Sequence, residues 1–125
     1  MGFEIGIIAL VVIFLLYKIM PARGVQHISA AELEEWLKTE KNVQWLDVRT
    51  PQEFKSGHVR GFKNIPLQAL HAKASTLDPN KKTIIICRSG NRSNTACKML
   101  KKKNFAQVIN VKGGIIQYPG RIVQK

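Results

Sequence analysis

The chain has 125 residues, of which 45% are hydrophobic, and a formal net charge of +12. This length holds one ordinary globular domain and a short appendage, and it excludes a series of domains within these residues. The basic residues are not accompanied by aromatic residues in a base-stacking pattern, so we expect no nucleic-acid partner. The two cysteines, Cys87 and Cys97, are too few for a disulfide framework, and no metal-ligand spacing is present, so we expect free thiols and no metal.

Residues 1–20 are predicted to form a transmembrane anchor. Ile5 to Tyr17 is an unbroken apolar run, and its apolar flanks bring the segment to about the length needed to cross a bilayer. A signal peptide and a buried core helix are the alternatives. A signal peptide requires a basic start and a small-residue cleavage site, and a core helix requires a polar face; this segment has none of them. Lys18 and Arg23 follow the run whereas only Glu4 precedes it. The positive-inside rule therefore predicts a single-pass protein, of a bacterial inner membrane, with its amino terminus outside and its carboxyl-terminal domain in the cytoplasm.

A short linker at 21–24 is predicted to join the anchor to a globular domain at 25–125. Two capping boxes mark helix starts, one formed by Ser29 with Glu32 and one by Thr50 with Glu53. The pattern predicts strands at 25–29, 43–48, 82–87 and 106–111, an extended segment at 64–67, and helices at 29–38, 50–54, 67–74, 93–102 and after 114. This alternation predicts an α/β fold with a mostly parallel sheet covered by helices on both faces.

The segment CRSGNRS, 87–93, lies where a strand is predicted to lead into a helix. The residues that follow Cys87 supply no apolar packing, so this cysteine differs from an ordinary small buried residue. If the helix begins near Ser93, the loop must curl with its N–H groups turned inward, and Gly90 can supply a positive φ. Such a nest at a helix amino terminus binds anions and stabilises a thiolate, which makes Cys87 the predicted nucleophile. Cys97, inside the following helix, is interpreted as a core residue, with a resolving thiol as the alternative.

This loop, together with LDVRTPQEFKSGHVRGFKNIPL at 46–67 and VINVKGGIIQYPG at 108–120, resembles the single-domain rhodanese family of sulfurtransferases. The likeness runs from about residue 25 to residue 120. One departure is Tyr118, where relatives commonly have tryptophan. Besides the cysteine loop, the matching positions are Asp47, Val48, Arg49, Glu53, Gly57, His58, Val59, Gly61, Asn64, Ile65 and Pro66.

The resemblance implies a parallel five-stranded sheet between helices and a Cys87 that accepts a sulfane sulfur to form a persulfide. The implied partners are a small anionic donor such as thiosulfate and an acceptor that is a thiol, cyanide or a sulfur-accepting protein, with no cofactor besides the covalent persulfide. Arg88 is expected to point outward, towards anionic donors, and Arg92 either to brace the loop or to touch substrate. The predicted substrate-binding ring is Arg88, Ser89, Gly90, Asn91, Arg92 and Ser93.

Four polar residues near the second strand are interpreted as structural. Asp47, Arg49 and Glu53 are expected to form an ion-pair network that holds the loops in place, rather than to act on substrate. His58 is expected to be a hydrogen-bonded framework histidine rather than a general base. His27 and His71 have no sequence context that raises them above ordinary positions.

Two other functions stay open on the sequence. One is a phosphatase or arsenate reductase, in which the loop places arginine six positions after cysteine; here Cys87 and Arg92 are five apart, and the smaller ring favours a single sulfur atom. The other is a non-catalytic rhodanese-like binding module at the membrane, which the retained cysteine and complete loop disfavour.

Overall fold

The computed structural model describes residues 2–19 and 24–124. Its α-helices are α1 (Gly2–Ile19), α2 (Ala30–Thr39), α3 (Pro51–Ser56), α4 (Leu67–Lys73) and α5 (Asn91–Lys102), with short 3₁₀ helices at Ala74–Thr76 and Ile115–Gln117. The strands are β1 (Gln26–Ser29), β2 (Val43–Asp47), β3 (His58–Val59), β4 (Lys63–Asn64), β5 (Lys82–Ile86), β6 (Val108–Lys112) and β7 (Ile122–Val123).

Five strands form one sheet in the order β1-β6-β5-β2-β4, and every neighbouring pair is parallel. This confirms the predicted α/β fold with its five-stranded, mostly parallel sheet. The chain leaves β2 towards β4 but leaves β5 towards β6, so its direction reverses between β2 and β5. Because these strands are parallel, the carboxyl end of β5 lies beside those of β2 and β6. In open α/β sheets this edge is where ligands bind. A small antiparallel pair, β3 with β7, was not predicted from the sequence.

Apolar side chains pack on both faces of this sheet. Leu46, Ile85 and Val108 face one cluster with α4 and α5, while Ile84, Ile86 and Ile109 face the other with α2. Alternate residues of each strand thus enter opposite clusters, as the pleat requires. Burial on both faces explains why β5 carries the continuous run Thr83–Ile84–Ile85–Ile86 before Cys87.

The two predicted capping boxes are present. The Ser29 hydroxyl accepts from the Glu32 amide while the Glu32 carboxylate accepts from the Ser29 amide, both at 3.1 Å. Thr50 and Glu53 exchange the same two hydrogen bonds at the start of α3. These bonds satisfy amides that have no partner inside the helix, and they fix where α2 and α3 begin.

The predicted transmembrane anchor is not supported. Among the residues that the structure describes, no helix combines the length and the apolarity needed to cross a membrane. The linker at 21–24 lies outside the described residues except for Gly24. The predicted orientation across a membrane stays untested.

Candidate active site

Cys87 follows the last residue of β5 and lies at the bottom of a tight ring that leads into α5. Gly90 caps this helix in a left-handed conformation, φ +105°, and its amide donates a hydrogen bond to Cys87 Sγ at 3.0 Å. A side chain at position 90 would be strained by this φ, and its Cβ would lie 3.3 Å from the Gly113 amide nitrogen. The sulfur therefore sits at the amino terminus of a 12-residue helix, where backbone N–H groups favour negative charge.

Helix α5 begins at Asn91, two residues before the predicted start at Ser93. Ser93 consequently lies in the first turn, fully buried, with its hydroxyl 3.3 Å from Cys87 Sγ. Arg88, Ser89 and Asn91 are exposed around the outside of the ring. Of the predicted ring residues, Gly90 and Ser93 thus contact the sulfur.

The segment after β6 supports the ring from below. The amide of Ile115 donates to the carbonyl of Cys87 at 2.9 Å, and that of Ile116 donates to the carbonyl of Arg88 at 3.2 Å. Gly114 permits this approach, because a Cβ at that position would lie 2.3 Å from the Arg88 carbonyl oxygen, and its φ is +62°. The paired glycines therefore let one loop hold the next at close range.

Arg92 braces the ring from the side. Its two terminal nitrogens donate to the two carboxylate oxygens of Glu53 at 2.7 and 2.9 Å. The hydrogen bond from Arg92 lowers the pKa of Glu53 to about 2, and Glu53 in turn raises the pKa of Arg92. Of the two roles expected for Arg92, the geometry matches bracing, whereas Arg88 is exposed.

The predicted network of Asp47, Arg49 and Glu53 is divided into two pairs. Arg49 donates to both carboxylate oxygens of Asp47, at 2.8 to 3.1 Å, and to the carbonyl of Gly57 at 2.7 Å. Both side chains are buried, so their hydrogen bonds offset the cost of removing them from water. Arg49 meets only the backbone carbonyl of Glu53, since the Glu53 carboxylate turns to Arg92.

His58 is held in the framework of the fold and Cys97 in its core. His58 Nδ1 is 2.8 Å from the carbonyl of Phe54, and its ring stacks on the Phe54 ring with centroids 3.7 Å apart. Cys97 is fully buried in the cluster beneath α5. Burial and, to a smaller degree, the neighbouring Cys87 raise the pKa of Cys97 far above its usual range, so this thiol stays protonated.

Two polar residues beside the ring were missed from the sequence. Asn110 of β6 accepts a short hydrogen bond from the Ser93 hydroxyl, and its amide nitrogen lies 3.2 Å from His27 Nδ1 in β1. Both line a cleft of about 290 Å³ next to the ring, together with Ser89, Asn91 and Lys112. The sequence held one indication of a special role for Asn110, namely that it is the only polar residue in the apolar run VINV. Nothing in the sequence indicated a role for His27.

Comparison with known proteins agrees with this fold. The family model of the rhodanese-like domain matches residues 29–118, so the chain belongs to the rhodanese-like domain family. A sulfurtransferase of Allochromatium vinosum is 31% identical over 94 residues, which cover 75% of this chain and 88% of the relative. The thiosulfate sulfurtransferase PspE of Escherichia coli is 32% identical over 71 residues, covering 55% and 68%.

Among solved structures, a rhodanese-like domain protein from Staphylococcus aureus superposes with a TM-score of 0.74 at 28% identity, covering 81% of this chain and 99% of that one. The share of a relative that the chain spans varies widely, from 24% of a Mycobacterium tuberculosis protein and 54% of one Bacillus subtilis protein to 97% of another.

Proposed function

We propose that this protein is a sulfurtransferase that moves a sulfane sulfur from an anionic donor such as thiosulfate to a thiol or cyanide through a persulfide on Cys87. The observation that carries the proposal is the ring itself: Gly90 donates its amide to Cys87 Sγ at 3.0 Å at the start of α5. Membership of a family whose relatives include named sulfurtransferases supports the same chemistry.

In the first step the Cys87 thiolate attacks the outer sulfur of thiosulfate. A new S–S bond forms on Cys87, the S–S bond of the donor breaks, and its electron pair leaves with sulfite. The negative charge moves to the outer sulfur of the persulfide, which the Gly90 amide and the amino terminus of α5 stabilise. No cofactor takes part in this step, because the donor carries both the sulfur atom and the leaving group.

In the second step the acceptor attacks the outer sulfur of the persulfide. With cyanide the product is thiocyanate, and with a thiolate it is a new persulfide; in both cases the electron pair of the broken S–S bond returns to Cys87. The exposed guanidinium of Arg88, at the outside of the ring, attracts anionic donors. A sulfur-accepting protein is an equally suitable acceptor, because Arg88 and Ser89 are accessible at the surface.

A parallel assay of two activities tests the proposal against a phosphatase. We expect the purified protein to produce thiocyanate from thiosulfate and cyanide, and to leave a phosphate ester essentially intact. Cys87→Ser should abolish thiocyanate production, and Cys97→Ser should retain most of it, provided that both variants show the wild-type circular dichroism spectrum. Ready hydrolysis of the phosphate ester without sulfur transfer would make the phosphatase the correct assignment, and activity in neither assay would favour the binding module.

A further inference from the structure

A hydrogen-bonded chain connects the sulfur of Cys87 to His27, on the edge strand of the sheet. Ser93 Oγ is 3.3 Å from Cys87 Sγ, the Ser93 hydroxyl donates to Asn110 Oδ1, and Asn110 Nδ2 is 3.2 Å from His27 Nδ1. Ser93 is fully buried and Asn110 is 4% exposed. Because water does not reach these two side chains freely, each depends on its neighbours in the chain for its hydrogen bonds.

The single hydroxyl proton of Ser93 has three acceptors within reach. These are Cys87 Sγ, the carbonyl of Gly90 at 3.1 Å and Asn110 Oδ1. While the proton points to Asn110, Ser93 offers Cys87 only lone pairs, and these suit a protonated thiol that donates to Oγ. A thiolate instead needs the Ser93 proton, and Asn110 Oδ1 then loses its donor in a buried position.

Asn110 Oδ1 keeps a hydrogen-bond donor if every hydrogen bond between Ser93 and His27 reverses its direction. The Asn110 amide, turned by half a rotation, presents Nδ2 to Ser93 and Oδ1 to His27, and the Ser93 proton is free to reach the sulfur. His27 must then donate from Nδ1. Whether the reversal is stable therefore depends on which ring nitrogen of His27 carries a proton.

The surroundings of His27 favour the neutral ring. Burial lowers the pKa of His27, and the ammonium of Lys112 lowers it further. The α5 residues that line the cleft beside it, Asn91 and Asn94, carry no charge, and Lys112 of β6 is the one charged residue in that lining among the described residues. In the observed direction Nδ1 accepts from Asn110, so the proton of the neutral ring is on Nε2, an atom that is buried and has no hydrogen-bond partner in the described part of the chain.

We propose that His27 is a positioning residue which, through Asn110 and Ser93, sets the direction of the Ser93 proton and thereby the stability of the Cys87 thiolate. When the His27 proton is on Nε2, the hydrogen bonds favour the Cys87 thiol; when it is on Nδ1, they favour the Cys87 thiolate. By reciprocity, ionisation of Cys87 moves the His27 proton from Nε2 to Nδ1. The inference rests on the proposed function only in that the thiolate is the species that attacks the donor.

The ¹⁵N spectrum of the His27 ring tests this directly, because it distinguishes the two neutral tautomers. In wild-type protein above the pH at which Cys87 ionises, we expect the proton on Nδ1. In Cys87→Ser, or in wild-type protein whose Cys87 has been blocked by iodoacetamide, we expect it on Nε2. The blocked protein needs no variant to fold. The same ring nitrogen protonated in all three samples throughout pH 6.5 to 10 would overturn the proposal.

Ser93→Ala distinguishes coupling through the hydrogen bonds of Ser93 from a direct electrostatic effect of Cys87 on His27. This variant leaves the charges in place but removes the central link, so the His27 tautomer should no longer follow Cys87 ionisation. A tautomer change that persists in Ser93→Ala would show that the coupling does not pass through Ser93, and would overturn the proposal.

The rate of Cys87 alkylation by iodoacetamide as a function of pH gives a second readout. Asn110→Asp supplies a carboxylate that only accepts hydrogen bonds, so it holds the Ser93 proton away from the sulfur. We expect the midpoint of the alkylation profile to rise by about one pH unit, the size of one hydrogen bond lost by a charged group. Asn110→Asp in the Ser93→Ala background, which puts the same charge at the same place without the Ser93 hydroxyl, is the matched control, and its midpoint should equal that of Ser93→Ala.

An unchanged midpoint in folded Asn110→Asp would contradict the proposal. Neither alkylation nor the ring spectrum requires sulfur transfer. Coupling without thiocyanate production would therefore refute the proposed function alone, and thiocyanate production without coupling would refute this inference alone.

Discussion

The sulfur of Cys87 is surrounded by an amide, a hydroxyl and a helix terminus rather than by guanidinium groups. Gly90 N–H and Ser93 Oγ lie 3.0 and 3.3 Å from it, while Arg92 is turned to Glu53. The sequence predicted the nest and its cysteine because both follow from a local pattern of a strand, a glycine and a helix start. It did not predict Asn110 or His27, because their contacts depend on β1 and β6 being neighbours, and 83 residues separate the two side chains.

At residue scale, Gly114→Ala should destabilise the protein strongly. Its Cβ would collide with the carbonyl group of Arg88, and its φ of +62° is unfavourable for alanine. We expect a loss of about 2 to 4 kcal/mol in the free energy of unfolding, from strain and overpacking together. Urea denaturation followed by circular dichroism measures this loss.

Gly61→Ala is the control, because its φ is also positive, +95°, but no atom lies within 4 Å of the added Cβ. It should lose about 1 kcal/mol from backbone strain alone. Equal losses in the two variants would mean that the contact with the ring contributes nothing.

At the scale of elements, α3 and α5 are joined by Glu53 and Arg92. Local patterns predicted both helix starts correctly at the capping boxes, since the residues concerned are three apart in sequence. The start of α5 was placed two residues late, because its cap is the backbone of Gly90 and involves no side-chain hydrogen bond. The Glu53–Arg92 pair spans 39 residues, and no local pattern indicates it.

The contribution of this pair to stability should depend on pH. Arg92 lowers the pKa of Glu53 from 4.5 to about 2 on folding, so the stabilisation is present above about pH 4.5 and is lost as the pH falls towards 2. Glu53→Gln keeps an acceptor for the capping box but removes the charge. We expect it to be about 0.5 to 1 kcal/mol less stable than wild type at pH 7, a modest value because both side chains are about a third exposed.

Urea denaturation at a series of pH values checks this prediction. The difference between Glu53→Gln and wild type should close as the pH approaches 2. A difference that stays constant from pH 7 to pH 2 would show that the charge of Glu53 is not the source of the stabilisation.

At the scale of the whole molecule, the alternation of strands and helices was sufficient to predict the parallel sheet and the edge at which the site lies. The pair of β3 with β7 was not predictable, because each strand has two residues and the partners lie at distant points of the chain. The apolar run at the amino terminus was interpreted as a membrane anchor from its composition, but no helix among the described residues is long and apolar enough to cross a membrane.

The central claim is that Cys87 carries a sulfur atom, and intact-protein mass spectrometry after incubation with thiosulfate tests it most directly. We predict an added mass of one sulfur atom that maps to Cys87, disappears on addition of cyanide with formation of thiocyanate, and is absent from Cys87→Ser. Cys97→Ser should gain the same mass as wild type, since its thiol is fully buried and protonated. An unmodified Cys87 in folded wild-type protein, or an added sulfur that persists in Cys87→Ser, would contradict the account.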